Sequence, residues 1–580
     1  MQRHVDTAPP LAVTQGRPAV LGKRHMVSSC HYLASLAGLR MFPRGGNAID
    51  AGVAAGIALN VVEPNLTSLG GVAPIMIFTP GMAAPVTIDG LGRAPAAATL
   101  ATHLARFGRD MNGWVPRVVV PAALDAWLTA LARFGRLTLA EVLTPSIELA
   151  DGFPVHPRLS AGIARAADRL REWPSSAAAF LPHGRPPQPG EVLAQRDLAA
   201  LLRRFVAIEH AHASRGREAA IFAARDAFYR GDIAREISSF VARAGGLLTY
   251  DDIASYRVSF EEPAHTTYRG YDVFATGAWS QGPVVPMTLN ILERFDLVAL
   301  GHSSADHLHV MAEALKLAFA DREAYVGDPA LVDVPLRGML SKQYAGERRG
   351  LIDLGRAALP AAGDPWRFEG RTGRVPRVPQ AVGGGSSNDT SYVCAVDHDG
   401  NAFSATPSDS ALGAPLVPGL GVIVSTRGAQ FWLDEGHPSV IAPRKRPRLT
   451  PNPAMALRDG KVFMAFGCPG EDAQPQGMVQ VLSNIVDFGM NVQAAIEAPR
   501  EITWSFPRSF WPHEYLPGFL GVESRVPAKV REELRSRGHD VHDYPDFTPA
   551  SSGVCAITVD GRGTMAGGAD PRRESLAVGW

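Results

Sequence analysis

The segment 383–400 constrains the fold more than any other part of this sequence. It begins with a Gly/Ser/Asn run, 383–388, which offers no apolar side chain to a core and indicates a loop. Thr390 and residues 392–396 are rich in β-branched and aromatic side chains, which favour a strand. His398-Asp399-Gly400 is typical of a hairpin turn. We predict a loop that enters a strand directly, with a hydroxyl group at the strand's first position. The alternative is an ordinary surface loop before a hairpin.

Thr390 gains chemical significance if the peptide bond before it is cut. It would then carry a hydroxyl nucleophile and a free α-amine, whose ordinary pKa of about 7.7–8.0 lies far below that of a lysine. A useful fraction of the amine is unprotonated at neutral pH and can act as the base for its own hydroxyl. This chemistry needs no neighbouring histidine, and none stands close to Thr390 in the sequence.

The residues around Thr390 resemble the processing site of the γ-glutamyltransferase family. Asp389-Thr390-Ser391 is followed at 396–400 by Val-Asp-x-Asp-Gly. Members of that family are N-terminal-nucleophile hydrolases, which are made as one chain and cut themselves before a threonine. The family's usual Thr-Thr-His is Thr-Ser-Tyr here, so Tyr392 stands in place of the histidine while the nucleophile position is kept.

Further motifs extend the resemblance over nearly the whole chain. Asn47 is a good N-cap for an Ala-rich apolar helix, 48–61, which ends at Glu63-Pro64. Gly-Gly-Asn-Ala-Ile-Asp-Ala and Val-Glu-Pro, at the two ends of this helix, are family signatures. Other family-like segments are 245–256, the helix 305–325, 467–472, 496–500 and 569–573.

The resemblance implies an α/β (α+β) fold, a four-layer αββα sandwich with two stacked, mainly antiparallel sheets. Residues 1–22 are expected to be a disordered leader, 23–389 the large subunit and 390–580 the small subunit. Periodicity and turn residues predict a set of individual elements. The strands are 75–78, 86–89, 268–273, 419–425, 454–457 and 462–466, and the helices are 118–136, 138–149, several within 158–240, and 476–488.

Composition excludes several classes of function. Lys+Arg and Asp+Glu both number 57, so no basic surplus points to nucleic acid or an anionic membrane. The four cysteines are widely spaced, which indicates small buried side chains rather than disulfides or a zinc site. The N-terminus lacks the apolar core of a secretory signal, and no apolar run is long enough to span a membrane, so we expect a cytoplasmic protein.

Two further features complete the predicted catalytic machinery. Ser408 stands where the resemblance implies a second hydroxyl that hydrogen-bonds Thr390. The turn at Gly470-Glu471 precedes a helix, and such a turn presents unpaired backbone N–H groups that can hold an oxyanion. The alternative for this turn is a plain strand-to-helix connection. The mechanism requires no cofactor and no metal.

The positions that recognise a γ-glutamyl donor in the family have changed in this chain. Leu91 stands in place of an arginine that binds the α-carboxylate, Ser410 in place of an asparagine, and Gln430 in place of an aspartate that binds the α-amino group. Arg93 and Arg427 are candidates to take over the carboxylate. The predicted substrate-binding set is Leu91, Arg93, Ser410, Arg427, Gln430 and Thr450.

Two groups of titratable residues are less informative. The basic run 444–448 is expected to be a solvated loop, with a role in holding an acidic substrate as the alternative. His309 lies on an amphipathic helix and is expected to be structural.

The predicted function is a self-processing N-terminal-threonine amidohydrolase, with a small acidic amide rather than a standard γ-glutamyl donor as substrate. One alternative is a true γ-glutamyltransferase or glutathione hydrolase, and another is an uncut binding protein of the same fold. The expected partners are the small-molecule substrate and the two subunits of one precursor, with a homodimer of heterodimers as an option.

Overall fold

The computed structural model describes residues 15–373 and 389–580. The Gly/Ser/Asn run 383–388 and residues 1–14 of the predicted leader lie outside the described residues. The remainder of that leader is ordered, contrary to the prediction, because Val20–Gly22 is a strand that pairs with the strand Met565–Ala569. The backbone N–H of Arg17 also donates to the Glu497 carboxylate at 3.0 Å.

Two seven-stranded sheets, in which every described pair is antiparallel, form the centre of the molecule. The first sheet has the spatial order Val20–Gly22, Met565–Ala569, Cys555–Val559, Lys461–Gly467, Ala454–Arg458, Tyr271–Ala275, Ala264–Tyr268. The second sheet has the order Leu576–Gly579, His25–Ser29, Val393–Asp397, Ala402–Ala405, Ile75–Phe78, Val86–Ile88, Phe260–Glu261.

Alternation along the strands explains why the two sheets stack. In the strand Val393–Asp397, Val393 and Ala395 point to the helices outside the second sheet, whereas Cys394 and Val396 point to the first sheet. A buried apolar cluster lies between the sheets and includes three of the four free cysteines, Cys30, Cys394 and Cys555. The predicted αββα sandwich is therefore confirmed.

Helices cover the outer face of each sheet. Beside the second sheet are Tyr32–Leu39, Ala48–Val62, Ala123–Phe134, Leu139–Asp151, Pro157–Arg171, Pro174–Phe180, Arg196–Ala211, Arg217–Arg230, Asp232–Arg243 and Tyr250–Ala254, which share one apolar core with it. Beside the first sheet are Val284–Leu292, Leu297–Leu300, Ala305–Tyr325, Leu336–Met339, Lys342–Arg349, Gln474–Val486 and Val492–Glu497. Among the described residues, no helix combines the length and the apolar character needed to cross a bilayer.

Smaller elements lie at the periphery. Glu501–Thr503, Phe519–Glu523 and Asp540–Tyr544 form a three-stranded sheet, against which the helix Ala528–Ser536 packs. Phe153–Pro154 and Val192–Leu193 form a two-stranded sheet. The remaining helix is Leu100–Phe107.

Three sequence predictions were wrong in detail. The strand predicted at 268–273 is a hairpin, Ala264–Tyr268 and Tyr271–Ala275, whose turn places Arg269 at φ 50° and is completed by Gly270. The strand predicted at 419–425 is irregular, since its apolar side chains pack into the helical core without pairing to a neighbouring strand. The helix predicted from Val118 begins only at Ala123.

The helix Ala48–Val62 provides a test of the capping argument. Its N-cap Asn47 accepts hydrogen bonds from the N–H groups of Ile49 and Asp50, and the Asp50 carboxylate accepts from the N–H of Asn47. Asn47→Ala should lower the free energy of unfolding by about 1 kcal/mol. Urea unfolding of the uncut chain measures this loss. Asn47→Ser retains an acceptor and should lose much less, so equal losses in the two variants would contradict the argument.

Candidate active site

Thr390 lies just before Val393–Asp397, an inner strand of the second sheet. It pairs through an isolated antiparallel bridge with Ser408, and Ser408 pairs on its other side with Val72. Thr390 Oγ1 lies 2.8 Å from Ser408 Oγ, and both side chains are buried. The structure therefore brings together the two hydroxyl groups that the sequence predicts to act together.

The carbonyl oxygen of Asp389 is surrounded by hydrogen-bond donors. The hydroxyls of Thr390 and Ser408 both donate to it, and Arg427 Nη2 lies 3.4 Å away. The same Arg427 nitrogen donates to Ser408 Oγ at 2.8 Å. This carbonyl belongs to the peptide bond that would be cut, and donors gathered at its oxygen are placed to stabilise negative charge there.

Arg427 is a buried cation held by two carboxylates. It donates to Asp389 Oδ2 at 2.6 Å, and its Nε lies 3.9 Å from Asp409 Oδ2. Burial alone would lower the pKa of Arg427, but the two carboxylates outweigh it and the pKa lies above its ordinary value. Asp409 is itself held by Ser425 Oγ at 2.6 Å and Thr426 Oγ1 at 2.8 Å. The guanidinium therefore has a fixed position beside the nucleophile.

The turn Gly470-Glu471 has the geometry of an anion cradle. Gly470 adopts φ 125° and Glu471 φ 53°, a left-handed backbone that is unusual for a residue with a side chain. Within residues 15–373 and 389–580, neither backbone N–H has a hydrogen-bond acceptor. Gln281 fixes the turn, since its Nε2 donates to the carbonyls of Glu471 at 2.8 Å and Thr450 at 2.9 Å.

The carboxyl of Glu471 is buried, and its surroundings shift its pKa in opposite directions. Burial raises its pKa to about 7; Arg508, which donates to Oε2, lowers the pKa, whereas Asp472 and Asp389 raise it. Its other oxygen has no partner among the described residues.

Gln430 and Thr450 contact each other as part of the predicted substrate-binding set. Gln430 Nε2 donates to Thr450 Oγ1 at 2.8 Å, and within the described part of the chain Gln430 Oε1 has no partner although it is buried. The backbone N–H of Ser410 donates to Asp389 Oδ2 at 3.2 Å. Gln430 and Arg427 also lie on one short helical turn, Arg427–Gln430.

Leu91 and Arg93 do not share a site. Leu91 is fully buried in a small apolar cluster with Val72, Trp279 and Leu449, one strand away from Ser408. Arg93 Nη2 instead approaches Ser259 Oγ at 3.4 Å and lines a separate cavity of about 290 Å³. Arg93, a candidate to take over the carboxylate, therefore does not lie beside Leu91, because this segment is irregular and not an extended strand.

Comparison with known proteins identifies the family. The family described as Gamma-glutamyltranspeptidase matches residues 34–580. The chain belongs to this family. It is 36% identical to the glutathione hydrolase-like YwrD proenzyme of Bacillus subtilis, over 97% of this chain and 99% of that protein. It is 37% identical to the acylase ACY 1 proenzyme of a Pseudomonas species (strain SE83), over 96% of this chain and 94% of that protein.

A solved structure gives the same result for the fold. The cephalosporin acylase from Bacillus halodurans superposes with a TM-score of 0.84 at 31% identity, covering 100% of this chain and 99% of that one. The protein is therefore an enzyme of the N-terminal-nucleophile amidohydrolase class, and its relatives in the Gamma-glutamyltranspeptidase family are proenzymes.

Ser391 and Tyr392, which differ from the usual family residues after the threonine, both have hydrogen-bond partners. Ser391 Oγ donates to Glu63 Oε2 at 2.5 Å, and Tyr392 Oη lies 2.6 Å from Ser404 Oγ. Sequence reasoning noted Glu63 only as the end of a helix and did not connect it with Ser391. The helix ends there because Pro64 follows, so the carboxylate stands at a helix terminus that faces the strand entrance.

In the basic run 444–448 Arg444 is exposed but Lys445, Arg446 and Arg448 are buried, so the prediction of a solvated loop was wrong for most of the run. Arg446 donates to Asp328 at 2.8 Å and to Asp89 at 3.0 Å, and Arg448 donates to Glu323 at 2.7 Å. All of these side chains are buried. Their acidic partners are distant in the sequence, which is why the run alone suggested a surface.

Among the described residues, a single group of side chains has the spacing of metal ligands: His309, Glu313 and His539. His309 Nδ1 lies 2.8 Å from His539 Nε2, and its Nε2 lies 2.8 Å from the Asp353 carbonyl. The Lys316 ammonium already pairs with Glu313. These groups satisfy one another, which fits the structural role expected for His309.

The raised pKa of Glu471 predicts how stability depends on pH. Because its pKa of about 7 in the folded state exceeds the ordinary value of about 4.3, the folded protein loses stability as pH rises between these values. Glu471→Gln abolishes this titration and keeps an oxygen for Arg508. Both proteins carry Thr390→Ala so that they stay uncut. Between pH 5 and pH 8, the free energy of unfolding of the Glu471→Gln variant should rise relative to that of its parent by on the order of 2 kcal/mol.

Thermal unfolding followed across this pH range measures the effect of Glu471→Gln. Glu435→Gln, at an exposed glutamate, is the control and should show no such trend. A difference between Glu471→Gln and its parent that stays constant with pH would contradict the assignment.

Proposed function

We propose that the protein cuts itself between Asp389 and Thr390 and then hydrolyses amides of small acidic acyl groups other than the standard γ-glutamyl donors. The observation that carries the proposal is the convergence of Thr390 Oγ1, Ser408 Oγ and Arg427 Nη2 on the carbonyl oxygen of Asp389. A nucleophile and two further donors at one buried carbonyl are the parts that acyl transfer needs.

This geometry supports the following course for self-cleavage. Thr390 Oγ1 attacks the carbonyl carbon of Asp389, and the negative charge that develops on the oxygen is held by Ser408 and Arg427. The C–N bond breaks, the hydroxyl proton passes to the departing nitrogen, and an ester joins Asp389 to Thr390 Oγ1. Water then hydrolyses the ester, which leaves a carboxylate on Asp389 and a free α-amine on Thr390.

The same atoms then serve the mature enzyme. The free α-amine takes the proton from Thr390 Oγ1 as the hydroxyl attacks the amide of a substrate. The N–H groups of Gly470 and Glu471, which have no other acceptor within the described ranges, supply the oxyanion site. The departing amine accepts the proton, and water releases the acyl group as a carboxylate.

Three positions support a substrate other than a γ-glutamyl compound. Leu91 offers no donor to an α-carboxylate and is enclosed by other apolar side chains. Gln430 supplies a neutral oxygen where an α-ammonium would need a carboxylate. Arg427 instead supplies a buried cation beside the nucleophile. The name of the acylase relative agrees with such a substrate, whereas that of the YwrD relative leaves glutathione-like donors as the competing outcome.

The first test is cleavage itself. Purified wild-type protein should give chains of 389 and 191 residues on a denaturing gel, with Thr390 at the new N-terminus by mass spectrometry. Thr390→Ala should stay one chain and hydrolyse no amide. Thr390→Ser keeps a hydroxyl nucleophile and should still be cut. Wild-type protein that is intact and nevertheless active would overturn the mechanism.

The second test compares γ-glutamyl-p-nitroanilide with glutaryl-p-nitroanilide, which differ only in the α-ammonium group. The wild type should prefer the glutaryl compound, because Gln430 cannot neutralise an ammonium ion. Gln430→Glu places a carboxylate there and should shift the ratio of kcat/KM towards the γ-glutamyl compound by about tenfold. Gln430→Met is the control without charge and should produce no such shift. A wild type that prefers the γ-glutamyl compound would contradict the proposal and favour a γ-glutamyltransferase or glutathione hydrolase.

A further inference from the structure

Asp389 occupies the place that the acyl part of a substrate must take later. Self-cleavage and substrate hydrolysis both pass through an ester on Thr390 Oγ1, so the group joined to that oxygen lies in the same surroundings in both reactions. In self-cleavage that group is Asp389. The argument rests on the function proposed above and adds the shape and charge of the acyl group.

The side chain of Asp389 is bound as a ligand would be. Its Oδ2 accepts from Arg427 Nη2 at 2.6 Å and from the backbone N–H of Ser410 at 3.2 Å, while its carbonyl oxygen is held by Thr390 and Ser408. The carboxylate is buried, and burial raises the pKa of Asp389 while Arg427 opposes that effect. The carboxylate site, formed by Arg427 and the Ser410 N–H, therefore lies as far from Thr390 Oγ1 as an aspartyl group attached to that oxygen reaches.

That separation has a chemical meaning. In an aspartyl group two carbon atoms, Cα and Cβ, lie between the carbonyl carbon and the carboxylate carbon. An unbranched acyl group with the same spacing is succinyl; oxalyl has no carbon atom in this interval, malonyl has one, and glutaryl has three. We propose that the acyl pocket selects a four-carbon dicarboxylic acyl group, with its far carboxylate on Arg427 and the Ser410 N–H, so that the substrates are N-substituted succinamates.

Arg427 has unused hydrogen-bond donors with which it could bind the carboxylate of a substrate. Its Nε and Nη1 are buried and, within residues 15–373 and 389–580, lack hydrogen-bond partners. Buried donors are rarely left unpaired in folded proteins, and guanidinium groups bind carboxylates with two parallel hydrogen bonds. Contact with Phe510, whose ring centre lies 5.1 Å from the guanidinium carbon, helps to fix the group. A free carboxylate can therefore bind Arg427 through two nitrogens, whereas the Asp389 side chain uses one.

The reaction balances with water alone. Thr390 Oγ1 forms a bond to the amide carbon of the succinamate, the C–N bond breaks, and the amine leaves with the proton. Water then cleaves the succinyl ester and releases succinate, which restores the hydroxyl of Thr390. Because succinate and the new Asp389 terminus share the same carboxylate spacing, succinate should also inhibit the enzyme competitively.

The test uses the processed wild-type enzyme and a series of p-nitroanilides that differ in chain length: oxalyl, malonyl, succinyl and glutaryl, with butyryl as the uncharged match for succinyl. We expect kcat/KM to peak at succinyl, about tenfold above malonyl and glutaryl, with butyryl about ten- to a hundredfold lower because it lacks the charged contact. A peak at any other length, or equal rates for succinyl and butyryl, overturns the inference. Cleavage and activity on another acyl group would leave the proposed function standing.

Two arginine variants then assign the carboxylate. Arg427→Gln should lower the succinyl-to-butyryl ratio of kcat/KM about ten- to a hundredfold, while Arg93→Gln, at the arginine that contacts Ser259, should leave the ratio unchanged. If Arg427→Gln is not cut, the wild-type chain-length series and succinate inhibition still decide the question. A ratio that responds to Arg93→Gln and not to Arg427→Gln would overturn the assignment.

Discussion

Antiparallel pairing of the strand Val393–Asp397 is the constraint on which the rest of the structure depends. This strand, which begins three residues after Thr390, lies between His25–Ser29 and Ala402–Ala405 in the second sheet. Strands from both sides of the Asp389–Thr390 bond therefore pair within one sheet, and the first sheet also contains strands from both sides. Cutting that bond removes no sheet hydrogen bond. The two chains remain one body because the backbone pairing that joins them is independent of the peptide bond before Thr390.

Burial of charge is the second constraint on the site. Arg427, Asp389, Asp409 and Glu471 lie together in a space from which water is largely excluded, and a buried charge without a partner is strongly unfavourable. Burial raises the pKa values of Glu471 and Asp389, and the arginine beside each carboxyl opposes that effect. The same low polarity strengthens the hydrogen bonds at the Asp389 carbonyl. Both proposed reactions, cleavage of the backbone and binding of an acidic acyl group, would thus depend on the exclusion of water from this site.

The sequence could predict those features that depend on local pattern. The helix at 48–62 was predicted almost to its ends, because the Asn47 cap and Pro64 mark both termini. The pairing of Thr390 with Ser408 followed from spacing and family resemblance. The contacts of Arg446 and Arg93 were not predictable, because their partners are more than a hundred residues away in the sequence. In irregular segments the direction of a side chain depends on tertiary packing, so hydrophobic periodicity in the sequence cannot predict it.

Arg427 shows why processing and specificity cannot be separated in this site. In the precursor its charge is balanced by Asp389 at 2.6 Å and Asp409 at 3.9 Å. If the Asp389 side chain leaves after cleavage, Asp409 is the carboxylate that still balances the charge of Arg427. Its distance of 3.9 Å is too long for a hydrogen bond. A buried guanidinium in that condition favours any anion that fits beside Thr390. In the proposed mechanism, cleavage therefore creates the free amine of Thr390 and also removes the carboxylate that balances Arg427, so an affinity for acidic acyl groups would follow from how the precursor balances its charges.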